Sequence, residues 1–136
     1  MQFTKKASYG LIAALELART DSDGPTSAGT IADRYSLPAP FVEKILHELK
    51  TAHIVRSKQG RGGGYLLAFP AKDVSVRSVL EALDEGLDLV SCLADGSDCT
   101  LTRICPTRDA WGVIHQRFLQ LLDSLTLQDL LDHHQK

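Results

Sequence analysis

Ile54-Val55-Arg56-Ser57-Lys58-Gln59-Gly60-Arg61-Gly62-Gly63-Gly64-Tyr65-Leu66-Leu67-Ala68 reads as strand, glycine-rich turn and strand. Two short apolar runs joined by a segment that tolerates positive φ form a hairpin. A plain flexible hairpin tip is the simplest reading, and a phosphate-cradling loop is the sharpest. The second fails, because a Walker loop needs Gly-Lys-Ser/Thr after four spacer residues and a helix behind it, and neither follows here. What precedes the hairpin makes it a wing. Phe41, Val42, Ile45, Leu46 and Leu49 recur at helical spacing, so one face packs while Glu43, Lys44, His47 and Lys50 face out. Pro40 suits the first turn of that helix, where its missing N–H costs nothing. Ser36-Leu37-Pro38-Ala39 separates it from a shorter helix that carries Ile31 and Ala32 inward and is capped by Thr26-Ser27. Two short helices about a tight turn, followed by a hairpin, make a winged helix-turn-helix.

Upstream, Tyr9 to Leu17 is almost wholly apolar or small, a buried helix of about four turns that stops at Asp21-Ser22-Asp23-Gly24-Pro25. Downstream, Ser75 caps a fourth helix with Val76, Val79, Leu80 and Leu83 inward, ending near Asp84-Glu85-Gly86. Residues 92–105 break every periodic pattern and read as a loop held by something other than a core. After Pro106 a long helix repeats Trp111, Ile114, Phe118, Leu121 and Leu125 at alternating spacings of three and four. That stripe is more apolar surface than one small domain leaves in water, which predicts a homodimer through this helix. Thr126-Leu127-Gln128-Asp129 has the form of a capping box opening a last helix. The expected fold is mainly α with a small β-wing. Residues 1–72 form the winged helix-turn-helix, and residues 73–136 form a helical dimerisation region with a long C-terminal dimerisation helix and a cysteine-containing loop at 92–105. No internal repeat or long linker divides the chain further.

With 43% hydrophobic and 24% charged residues in 136, the composition is that of an ordinary globular chain. No signal-peptide pattern and no membrane-length apolar run is present, so a cytoplasmic protein is expected. The net charge of -2 argues against a polyanion partner until the two parts are counted separately. Residues 1–72 carry ten Lys/Arg against six Asp/Glu, a net of +4, while residues 73–136 carry five against eleven, a net of -6. A surface for double-stranded DNA therefore belongs to the first part. Cys92, Cys99 and Cys105, an odd number in a short stretch, do not suggest a disulfide framework. Their spacing fits neither a C-x2-C zinc knuckle nor a ferredoxin run. A metal centre, redox-sensing thiols without metal, and inert cysteines stay open on the residues alone.

Thr4, Lys6, Tyr9 and the Ala/Leu-rich first helix, Ile31-Ala32, Val42-Glu43-Lys44-Ile45-Leu46, the run Gly62-Gly63-Gly64-Tyr65-Leu66-Leu67, the three cysteines and the Thr126-Leu127-x-Asp129-Leu130 ending together resemble the Rrf2 family of winged-helix transcription regulators. The resemblance covers nearly the whole chain. It implies a homodimer with crossed long helices, recognition helices in successive major grooves, wings reaching the minor groove, and an iron-sulfur cluster held by Cys92, Cys99 and Cys105. The sequence departs from family patterns at the remaining ligand. Iron-sulfur-sensing members place a histidine three residues after the last cysteine, where this chain has Arg108, and nitric-oxide-sensing members use an aspartate where this chain has Ser8. Asp109, Asp98, a group from the partner's first helix or a small molecule are the alternatives. Whether the cluster is 2Fe-2S or 4Fe-4S is open.

The expected DNA-contacting residues are Lys5, Lys6, Tyr9, Pro40, Phe41, Glu43, Lys44, Lys50, Lys58, Gln59, Gly60 and Arg61. Arg61 and Lys58 on a glycine-flanked tip suit a narrow minor groove, though a solvated charge is the ordinary fate of either. Gln59 stands where relatives commonly carry arginine. Glu43 either accepts from cytosine N4 or serves the helix dipole. Lys44 and Lys50 suit phosphates, and Tyr9 suits either a phosphate or the core. His115, His133 and His134 read as surface residues. No Ser/His/Asp or paired-carboxylate arrangement points to an enzyme. The competing class is a cluster- or zinc-carrying interaction module that binds proteins through its helical stripe and no DNA.

Overall fold

The computed structural model describes residues 4–83, 87 and 106–134. Its elements are α1 (Lys5–Thr20), α2 (Ala28–Tyr35), α3 (Ala39–Thr51), β1 (Val55–Lys58), β2 (Gly64–Leu67), α4 (Val76–Ala82), α5 (Arg108–Ser124) and α6 (Leu127–His134). The architecture is mainly helical with a two-stranded antiparallel wing. The segment after Leu83 expected to end α4, and the loop carrying Cys92, Cys99 and Cys105, lie outside the described residues.

Helix α1 is the hub. Thr4 Oγ1 accepts from the Ala7 amide at 3.3 Å and caps it, satisfying one of the donors that a helix start leaves without a partner. Its buried face is built of Ala7, Gly10, Ala13, Ala14 and Leu17. Small side chains let neighbours approach closely: a Cβ on Gly10 would lie 2.1 Å from Leu83 Cδ1, so the end of α4 occupies the space a side chain would need. Helices α3, α4 and α6 all pack on α1.

Ser36, at φ 54°, reverses the chain after α2, and the Leu37 amide donates back to the Ala32 carbonyl at 2.8 Å. That bond, with Leu37 packed on the core, is the Schellman form of helix ending. It sets the tight turn into α3. Val42, Ile45, Leu46 and Leu49 are all fully buried there. At about 1.5–3 kcal/mol for each buried aliphatic side chain, this face anchors α3 and leaves the opposite face free to serve another purpose.

The wing pairs Val55 with Leu67 and Lys58 with Gly64. A further strand-like contact was not evident from the sequence. Thr26 exchanges both backbone hydrogen bonds with Tyr65, at 3.0 and 2.8 Å, and so ties the wing to the residue that precedes the N-cap of α2. Ser75 caps α4 by accepting from the Ser78 amide at 3.0 Å. Thr126 and Asp129 form a reciprocal capping box, with amide-to-side-chain distances of 2.9 and 3.2 Å. Leu127 then enters the main core, fully buried, so α6 returns to the helix-turn-helix instead of trailing from α5. Among the described residues no helix is long and apolar enough to cross a membrane.

Candidate nucleic-acid interface

The outward face of α3 presents Pro40, Glu43, Lys44, His47 and Lys50, all exposed. Helix α3 ends at Thr51 with Ala52 as its C-cap, and His53 at φ 64° turns the chain into β1 while the Ile54 amide donates to the Leu49 carbonyl at 3.0 Å. The wing therefore follows the helix through a fixed corner. Arg56 and Lys58 stand two residues apart on β1 and so share one face of the strand; both are exposed.

At the tip the Gly63 amide donates to the Gly60 carbonyl at 3.0 Å. Gly62, at φ 74°, occupies the third position of this turn, where a type II turn requires positive φ. Arg61 is thereby held at the apex beside Gln59 and Gly60, all exposed. A Cβ on Gly63 would lie 2.1 Å from the Lys58 carbonyl oxygen, which keeps the tip narrow. From Ile54 to Gly64 the sequence has Arg56, Lys58 and Arg61 and no acidic residue.

Three of the sequence-predicted residues are engaged inside the fold. The Lys6 ammonium pairs with Glu48, 2.8 Å from Oε2 and 3.0 Å from Oε1, and so links α1 to α3. Tyr9 and Phe41 meet edge to face with centroids 5.6 Å apart, and both pack half-buried against the core. Lys5, Glu43, Lys44, Lys50, Lys58, Gln59 and Arg61 stand outside it, exposed. Arg56 and His47 share that surface and were not among the expected contacts. The signal for Arg56 was its two-residue spacing from Lys58, and for His47 its place one turn after Glu43.

The stripe on α5 divides in two. Phe118 and Leu125 are half-buried against Ala7, Val76, Leu80, Leu87 and Leu122 of the same chain. Trp111, Ile114 and Leu121 stay 36%, 48% and 56% exposed, so the described residues leave part of the stripe uncovered. Val113, on another side of the helix, is 55% exposed. Arg77 donates to Glu81 at 2.8 Å and to Asp123 at 2.9 Å, tying α4 to α5. Among the described residues no group of three His, Cys, Asp or Glu is arranged to hold a metal ion.

Residues 3–133 match the Rrf2 family, described as iron-dependent transcriptional regulators. The chain belongs to the Rrf2 family. A helix-turn-helix-type transcriptional regulator from Synechocystis sp. is 38% identical to it over 96% of this chain and 87% of the relative. The helix-turn-helix-type transcriptional regulator IscR of Photobacterium profundum is 32% identical over 96% of this chain and 76% of its own. Among solved structures, CymR, the global cysteine regulator of B. subtilis, superposes with a TM-score of 0.80 at 28% identity, covering 98% of each chain. This Rrf2 protein is thus a transcriptional regulator with a DNA-binding fold, and its relatives are regulators, not enzymes.

Proposed function

We propose that the protein binds duplex DNA as a homodimer through α3 and the wing, and that an iron-sulfur cluster on Cys92, Cys99 and Cys105 controls that binding. The observation that carries the DNA reading is that Lys44, Lys50, Arg56, Lys58 and Arg61 of α3 and the wing are all exposed, with Glu43 the one exposed acidic residue of these two elements. A surface built this way neutralises phosphates and releases counterions. Lys5 adds an exposed cation at the start of α1. The exposed Trp111, Ile114 and Leu121 support a second copy on α5, and two winged domains related by a twofold read a roughly palindromic site. In this division of labour residues 1–72 contact DNA, and residues 73–136 assemble the dimer and hold the sensor.

The cysteines fit the cofactor by donor chemistry. Three thiolates are soft ligands suited to iron-sulfur centres, and the family is described as iron-dependent. Bound there, a cluster supplies a redox-sensitive and oxidant-sensitive centre. Asp109, exposed in the first turn of α5, is the described residue among the candidates for the remaining ligand.

The deciding experiment is equilibrium binding of a labelled duplex across salt. Affinity should fall steeply, with the log-log slope growing by about 0.9 per phosphate contacted. Arg61→Ala should weaken binding and lower that slope by about one contact, whereas Glu43→Ala should chiefly change sequence preference. A protein that binds no duplex and shows no salt dependence would instead be a cluster- or zinc-carrying interaction module.

A further inference from the structure

A cavity of about 210 Å³ is lined by residues of α1, α2 and α6, and by none of α3 or the wing. Its apolar wall is Ile12 and Leu15 of α1 and Leu131 of α6, and its polar wall is Arg19 of α1 with Arg34 and Tyr35 of α2. Behind the polar wall sits the Glu16 carboxylate, 2% exposed. Arg19 donates to its Oε1 from Nε at 2.6 Å and also from Nη2, Arg34 approaches Oε2 through Nε at 3.1 Å, and the Tyr35 hydroxyl donates to Oε2 at 2.8 Å.

Two guanidinium groups thus share one carboxylate, which leaves a local charge of +1. A guanidinium has five N–H donors, and Glu16 takes up only the Nε of Arg34 and one side of Arg19. No other acidic side chain among the described residues pairs with either. Their side chains are 41% and 52% exposed, at the mouth of an apolar hollow. Sites for drug-sized ligands run to about 300–1,000 Å³, so this one takes something smaller. Its chemistry is that of a single carboxylate on a short hydrocarbon body. The anion meets the outer edge of the Arg19 and Arg34 pair as a planar, two-oxygen acceptor, and the hydrocarbon lies on Ile12, Leu15 and Leu131.

We infer that this cavity is a binding site for a small organic monocarboxylate, built from residues other than those proposed to contact DNA and other than the cysteines. An occupant would join α6, which follows the proposed dimer helix, to α1 and α2 of the helix-turn-helix. It would therefore bias their relative placement and make the site a second input to the regulator. That consequence rests on the proposed DNA-binding reading; occupancy does not, and it is read on DNA-free protein.

The test uses full-length protein with labelled methyl groups, titrated with 4-methylpentanoate and phenylacetate and, as controls, phenylacetamide and inorganic phosphate. Both acids should give saturable shifts centred on Ile12, Leu15 and Leu131, with the amide at least tenfold weaker. Phosphate should leave the apolar methyls unmoved. Arg34→Gln should weaken the acids at least tenfold. Leu131→Trp, which fills the hollow from the apolar wall and leaves every member of the Glu16 cluster in the sequence, should abolish saturable binding in a protein whose circular dichroism is unchanged. Amide binding equal to acid binding, shifts centred elsewhere, no response to either acid at millimolar concentration, or full affinity in Leu131→Trp would each overturn the assignment.

Discussion

Gly64 is where one added atom would test the wing's contact with the segment before α2. A Cβ there would stand 2.5 Å from the Thr26 carbonyl carbon and 2.8 Å from the Ser27 nitrogen, both backbone, so the neighbour cannot rotate aside. Gly64→Ala must push β2 away from Thr26. The bonds at risk are the pair between Thr26 and Tyr65, at 3.0 and 2.8 Å. At about 0.5–1.5 kcal/mol each, their loss costs about 1–3 kcal/mol. Gly64 also sits at φ 156°, which L side chains rarely adopt, and the strain of an alanine there offsets the gain of about 0.4–1 kcal/mol from restricting the unfolded chain. The net expectation is a destabilisation of about 1–3 kcal/mol. With a urea m-value of about 2 kcal/mol/M, the midpoint should move down by about 0.5–1.5 M. Gly29→Ala is the matched control. That residue lies exposed in α2, with nothing nearer to a Cβ than Ser27 Oγ at 3.9 Å, so it should stabilise by about 0.5 kcal/mol. Duplex affinity should fall in the Gly64 variant even though it stays folded, because Arg61 rides on the displaced strand. A Gly64→Ala midpoint equal to wild type, with Gly29→Ala shifted upward as expected, would refute the claim that the wing is pinned at Thr26.

Leu121→Asp should yield a folded monomer at micromolar concentration by light scattering, because the side chain is 56% exposed in the protomer; an unchanged dimer would remove α5 from the interface. Burial, then the hydrogen bond and charge of Glu16, raise the Tyr35 hydroxyl above its ordinary 10.0, against the opposing influence of Arg34. The folded chain therefore holds that proton more tightly than the unfolded chain, so this contribution is complete below pH 10.0 and is lost as pH rises through the raised value. Urea midpoints from about pH 9 to about pH 11 should fall less in Tyr35→Phe than in wild type, and parallel curves would contradict it. Single Cys92→Ala, Cys99→Ala and Cys105→Ala variants purified without air should each lose iron and sulfide; wild-type iron content in all three would end the cluster proposal.

Much of the helix-turn-helix was legible because its signals are local. Ser27, Ser75 and the pair Thr126 and Asp129 are caps whose bonds close within three residues, and the buried face of α3 is a single helical period. The candidate interface was legible to the same depth. Which side chains point out of α3 follows from periodicity, and the wing tip follows from glycine. What periodicity cannot supply is the identity of the partner across a contact. Lys6 was expected on phosphate and instead bonds Glu48, forty-two residues away.

The Glu16 cluster shows the same limit. Glu16 and Arg19 look like an ordinary solvated pair one turn apart on α1, and only the crossing of α2 buries the carboxylate against Arg34 and Tyr35. The α5 stripe carries the point furthest. Trp111, Ile114, Phe118, Leu121 and Leu125 form one continuous pattern in the sequence, yet Phe118 and Leu125 pack against the second core cluster while Trp111, Ile114 and Leu121 stay exposed. A heptad states that a helix has an apolar side, not how many bodies share it. Here the width of the stripe exceeds what α1 and α4 cover, and that excess, not the pattern, is what argues for a second copy of the chain.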